Sequence, residues 1–89
     1  MSGNILLVED DIAIATVIIA ALEDENFTIE HCTSISGRDA RLAAGEFDVM
    51  LTDVMLEDGD GLATLGAVRE QAPKMPVIVL SAQNTLDTA

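Results

Sequence analysis

The chain is short of positive charge and of aromatic residues. Against 16 Asp+Glu it carries 4 Lys+Arg, for a formal net charge of -12, and its aromatics are 2 phenylalanines with no tryptophan or tyrosine. So few cations cannot neutralise nucleic-acid phosphates, which argues against direct nucleic-acid binding. The same deficit argues against anionic membrane surfaces. A single cysteine, Cys32, excludes an internal disulfide and fits a reducing compartment. The longest apolar run, Ile12 to Leu22 with Thr16 inside it, is too short to span a bilayer. No basic residue precedes the first apolar run, so no signal peptide is expected and a cytoplasmic protein is.

What is present is apolar and ordered. Of 89 residues, 49% are hydrophobic, enough for the core of one small domain. Asn4 to Val8 is a continuous β-prone run, as in a central strand buried on both faces. A helix over about Ile12 to Glu25 follows, with Asp11 as its N-cap and Asn26 at its left-handed end. Phe27 to Cys32 reads as a second strand. A second helix, capped by Ser34 or Ser36, runs to about Ala44 with Gly45 beyond it. Asp48 to Thr52 is a third strand, Leu62 to Gln71 a third helix and Val77 to Leu80 a fourth strand. Asn84 or Thr85 would cap a fourth helix. This βαβαβαβ alternation predicts a parallel sheet with right-handed crossovers.

Two of the strands end on acid. Ile5 to Val8 runs into Glu9, Asp10 and Asp11, and Val49 to Thr52 runs into Asp53. In a parallel α/β sheet, ligands bind beyond the carboxyl ends of the strands. Carboxylates gathered there repel one another and need a cation or a proton. Oxygen donors without nearby His or Cys favour a hard cation, most simply Mg²⁺. Asp11 is better read as a helix cap than as a ligand. His31 is expected to be a solvated side chain on an outer strand. Asp58 and Asp60 read as turn formers beside Gly59 and Gly61.

Three blocks in order carry a family resemblance: Ile5-Leu6-Leu7-Val8-Glu9-Asp10-Asp11, Asp53 through Leu62, and Pro76-Val77-Ile78-Val79-Leu80-Ser81-Ala82. Together they resemble the receiver domain of bacterial two-component response regulators, nearest to the nitrogen-regulator type. The resemblance implies a flavodoxin-like, three-layer αβα fold with strand order 2-1-3-4, incomplete at its C-terminus. It implies that Asp53 accepts a phosphoryl group from a sensor histidine kinase. Glu9, Asp10, Asp53 and the backbone carbonyl of Met55 would hold Mg²⁺, and the Ser81 hydroxyl would bond the phosphoryl group. Phosphoryl transfer needs positioning and charge neutralisation more than covalent help.

The chain departs from that family in three places. It reaches Ala89 before the fifth strand and fifth helix, so the lysine of the fifth strand is absent and impaired phosphoryl transfer is expected. Lys74 lies at the wrong end of the sheet to replace it. Glu57 stands where receivers have proline and is expected to loosen the turn. The first helix is apolar nearly all round. Ile14, Val17, Ile18, Ala21 and Leu22 form its expected core stripe, and Ile12, Ala15, Ile19 and Ala20 a second one. That second stripe, with the Val77 and Val79 edge of the fourth strand, predicts a homodimer. A phosphorylation-independent interaction module is the alternative reading. A Mg²⁺-dependent phosphohydrolase would want a general acid two residues after Asp53, and Met55 stands there, so no enzyme is expected.

Overall fold

The computed structural model describes residues 3–80. Its elements alternate as the sequence predicts: β1 (Asn4–Val8), α1 (Ile12–Asp24), β2 (Thr28–Cys32), α2 (Ile35–Ala44) and β3 (Val49–Asp53). Then come a small hairpin, β4 (Met55–Leu56) and β5 (Gly59–Asp60), followed by α3 (Leu65–Gln71) and β6 (Val77–Leu80). The sheet order is β2-β1-β3-β6, parallel throughout, with Leu6 beside Met50 and Met50 beside Val77. This is the flavodoxin-like arrangement, the expected 2-1-3-4 order with β6 as fourth strand.

Handedness sets the layers. The chain moves one way from β1 to β2 and the other way thereafter, so right-handed crossovers put α1 on one face and α2 and α3 on the other. The α2/α3 face holds the larger core: Leu6, Val8, Cys32, Met50, Leu56, Val68 and Met75 are buried together. Ile35, Leu42, Leu65 and Val77 pack against them. Leu6, Leu7, Val8 and Met50 are sealed from solvent, as expected for central strands.

Helix α1 starts and stops as expected. Asp11 Oδ1 accepts from Ile14 N at 3.1 Å, and Asn26 adopts φ 75 at the far end. Its orientation differs from the expectation by about one residue. The inward stripe is Ala15, Ile18, Ile19 and Leu22, and Ala15 is only 1% exposed. Ile14, Val17 and Ala21 face outward, with Val17 at 69%. A helix apolar on every side has no polar face to fix its rotation, so packing decides. A small side chain at the closest approach lets the helix lie nearer the sheet. Ala15 is therefore a core residue, not an interface residue, and Ile19 is half-buried beside it.

Two other elements shift. α3 begins at Leu65 rather than Leu62, because Asp60 Oδ1 accepts from Leu62 N and Ala63 N, at 2.7 and 3.0 Å, and holds an Asx turn there. Ser34, not Ser36, caps α2, accepting from Gly37 N at 3.0 Å. Gly45 closes α2 in an extended rather than a left-handed conformation.

Candidate functional site

The carboxyl ends of β1 and β3 lie side by side at the centre of the sheet. Glu9 follows β1 directly, and its backbone is tied to β2 from both sides. Glu9 N donates to the Cys32 carbonyl at 3.0 Å, and His31 Nε2 donates to the Glu9 carbonyl at 2.8 Å. His31 is thus a half-buried brace, not the solvated side chain expected from its strand. The Glu9 side chain turns inward, 2% exposed, and its Oε2 accepts from Asp11 N at 3.1 Å. Asp10 is exposed. Asp53 is half-buried at the end of β3, where its Oδ1 accepts from Val54 N at 2.8 Å.

These three carboxylates converge. Glu9, Asp10 and Asp53 each offer an oxygen within 4.8 Å of the others. Burial pushes the Glu9 carboxyl above its ordinary value of 4.5, and the charges of Asp53 and Asp10 add to the rise. Among the described residues the salt bridges are Arg38–Asp39 and Arg41–Glu30, and neither reaches this cluster. An acid that is hard to ionise, facing two others, fits a site meant for a positive charge. Its oxygen-only donors fit a hard divalent cation such as Mg²⁺.

The sign of the Glu9 shift makes a prediction. A carboxyl whose folded value is raised costs stability as pH climbs from its ordinary value through the raised one, and the cost is complete above that. Glu9→Gln removes the cost. The metal-free variant is therefore expected to be more stable than wild type at neutral pH, with the difference vanishing below pH 4.5. Urea titrations at the two pH values, both with chelator, check this. A variant less stable than wild type at neutral pH contradicts it.

The segment after Asp53 is tightly folded. Gly61 N donates to the Val54 carbonyl at 2.6 Å, and Thr52 Oγ1 donates to the Asp53 carbonyl at 2.9 Å. Gly61 is buried, and a Cβ there would sit 2.5 Å from the Asp53 carbonyl oxygen, so only glycine fits. Met55 opens the hairpin opposite Asp60, with its side chain exposed. Glu57 does not loosen this turn as expected. Its Oε2 accepts from Thr33 Oγ1 at 2.8 Å, which anchors it. Arg38, which the sequence did not single out, is fully buried and bridges α2 to the loop before α3. Ser81 lies outside the described residues, as do Asn84, Thr85 and the expected fourth helix.

The fold is a doubly wound parallel domain with three acidic side chains converging at its central strand ends. The chain belongs to the response regulator receiver domain family, whose family model matches residues 5–89. It is 39% identical over 85 residues to the swarming motility regulation protein RssB of Serratia marcescens, covering 96% of this chain and 39% of that protein. It is 37% identical over 92 residues to the DNA-binding transcriptional regulator NtrC of a Bradyrhizobium strain, covering 99% of this chain and 18% of that one. Several NtrC relatives recur, which supports the nitrogen-regulator type. The beryllofluoride-activated NtrC4 receiver domain dimer is similar in structure, with TM-score 0.86, 28% identity, and coverage of 97% of this chain and 71% of that one. The chain spans well under half the length of these two curated relatives. Receiver domains of response regulators are signalling modules of two-component systems, not classical enzymes. No helix among the described residues is long and apolar enough to cross a membrane.

Proposed function

We propose that this chain is a phosphoacceptor in a two-component phosphorelay, taking a phosphoryl group on Asp53 from a sensor histidine kinase. The observation that carries this reading is the convergence of Glu9, Asp10 and Asp53 at the ends of neighbouring central strands. Asp53 is the half-buried member, and its Oδ1 is oriented by Val54 N. One Asp53 oxygen attacks phosphorus, and the bond from phosphorus to the histidine nitrogen of the donor breaks with its electrons going to nitrogen. Glu9, Asp10, Asp53 and the Met55 carbonyl are the residues that would hold Mg²⁺. When bound, the ion neutralises charge on the phosphoryl oxygens and carboxylates. The Ser81 hydroxyl is the proposed hydrogen-bond donor to the phosphoryl group. Lys74 precedes β6, at the amino-terminal end of the sheet, so it takes no part.

The reading makes the kinase a cytoplasmic partner and places this chain with it. Amide spectra of the protein with Mg²⁺ and beryllofluoride test it. Shifts around Asp53 that require both components are expected. Unchanged spectra with both present contradict it.

Self-association is a second proposal, and the exposed apolar surface supports it. Ile12 is 60% exposed, Val17 69% and Ile78 52%, with Val79 also exposed. Val77 is half-buried on β6, whose far edge has no strand partner among the described residues. With Ala15 in the core, the interface comprises Ile12 and Val17 on α1 and Ile78 on β6, with Ile19 beneath, while Val77 and Val79 point to the α2/α3 side. A net charge of -12 opposes the pairing of two copies, so added salt should strengthen it. Light scattering on wild type and Val17→Glu checks this: a wild-type dimer favoured by salt and a monomeric variant are expected. A monomeric wild type at high concentration and high salt overturns it.

A further inference from the structure

The loop that carries the chain from Asp53 to α3 is gripped by α2 at two points. At the first, the amino end of α2 takes hold of two consecutive acids. Thr33 Oγ1 donates to Glu57 Oε2 at 2.8 Å. Ile35 N donates to Asp58 Oδ1 at 2.7 Å, and Ser36 N donates to Asp58 Oδ2 at 3.1 Å. Asp58 thus spans two of the amides that a helix start leaves without partners, while Ser34 takes a third. The bond from Ile35 N holds the Asp58 carboxyl below its ordinary range, which keeps it ionised and bound. Ile35 also lies under the turn, since a Cβ on Gly59 would meet its Cδ1 at 2.9 Å.

The second grip is Arg38. Its guanidinium is fully buried and donates to Thr64 Oγ1 at 2.8 Å, while Asp39 balances its charge at 2.8 Å. Thr64 Oγ1 in turn donates to the Asp60 carbonyl at 3.0 Å. Both ends of the segment 57–64 are therefore fixed to one helix. Between the first grip and Asp53 lies Met55, whose strand pairs with Gly59 and Asp60. The position of the Met55 backbone follows from that pairing, and the pairing follows from where Asp58 is held.

We propose that Asp58, with Glu57, is a positioning residue that clamps the post-Asp53 loop onto the start of α2 and so sets the Met55 carbonyl for a divalent cation. This rests on the metal reading above and adds a role that neither acid has as a ligand. It makes α2 a lever on the site: whatever moves the start of α2 moves the Met55 backbone.

The test is Mg²⁺ titration of the full chain, followed by amide shifts, for wild type, Asp58→Asn, Asp58→Ala and Thr33→Val. Asparagine keeps one acceptor oxygen and loses the charge, whereas alanine loses both. Positioning predicts a graded series: alanine weakens Mg²⁺ binding several-fold, asparagine less, and Thr33→Val weakens it although no charge is removed. The alanine effect persists at high salt, where a long-range charge effect fades. Equal losses for asparagine and alanine that disappear with salt overturn the proposal, as does wild-type affinity in Asp58→Ala once the Ile35 and Ser36 amides have shifted. Should Asp58→Ala not fold, Thr33→Val and Asp58→Asn decide, and wild-type affinity in both overturns it. If wild type itself shows no Mg²⁺ response, the metal reading fails together with the clamp. If wild type responds and the variants match it, only the clamp fails.

Discussion

Asp53→Asn is expected to abolish phosphoryl uptake while leaving the fold intact. A carboxamide cannot serve as the nucleophile that a carboxylate provides, and it removes one of three anionic oxygens from the crevice. The loss should extend to the cation. Mg²⁺ affinity is expected to fall by about tenfold or more, the range seen when groups that merely support a metal site are lost. The variant should not be less stable without metal, because Glu9 is buried beside the Asp53 charge and is relieved by its removal. Intact-mass measurement after exposure to a small phosphodonor checks the first effect. Calorimetric titration checks the second. Full phosphoryl uptake by Asp53→Asn removes Asp53 from its proposed role.

Leu6→Ala carries the largest expected effect on stability. Leu6 is sealed at the centre of β1, packed with Val8, Met50, Val68 and Met75 against α2 and α3. Truncation leaves a cavity that neighbouring strands cannot close, and such changes cost about 2–5 kcal/mol. Native domains have only about 5–15 kcal/mol in hand, so the variant should unfold at far lower urea. A loss under about 1 kcal/mol, the scale of one buried methylene, contradicts the packing described for β1. Because β1 delivers Glu9, the same variant should also weaken the acidic site at temperatures where it is partly unfolded.

Strands β1, β3 and β6 were legible in the sequence because each is a short, largely apolar run beside turn residues, and β2 by its alternation; the two-residue strands of the β4–β5 hairpin are too short to show either pattern. The acidic site was legible because Glu9, Asp10 and Asp53 follow two of those runs directly, and strand adjacency brings them together. The rotation of α1 was not. Ile12 to Leu22 offers no polar face, so periodicity could not tell Ala15 from Ile14 as the inward residue. The start of α3 was misplaced because Asp60 competes for the first amides with its own side chain. Arg38, Glu57 and Asp58 gave no periodic signal at all. Their partners, at Thr64, Thr33 and the Ile35–Ser36 amides, lie more than twenty residues away, and only the topology that sets α2 beside the β3–α3 loop brings them into reach. His31 was missed for a similar reason. Its acceptor is a backbone carbonyl on the neighbouring strand end, which side-chain chemistry does not announce.

The α1 correction also changes what its apolar surface means. The large apolar side chains that remain outside, Ile12, Ile14 and Val17, all fall in the first half of the helix, and Ile78 is exposed on the same side of the sheet. The large apolar side chains that α1 leaves exposed therefore lie toward its amino end, not in a stripe along the whole helix.

The central claim is that Asp53 is the residue that accepts phosphoryl. Incubating the chain with Mg²⁺ and a small phosphodonor, trapping the product chemically and mapping the modified peptide tests it most directly. The account predicts a single modification, on Asp53, that needs Mg²⁺ and is absent when Mg²⁺ is chelated. A modification on any other residue, or none under conditions where Mg²⁺ is shown to bind, would contradict it.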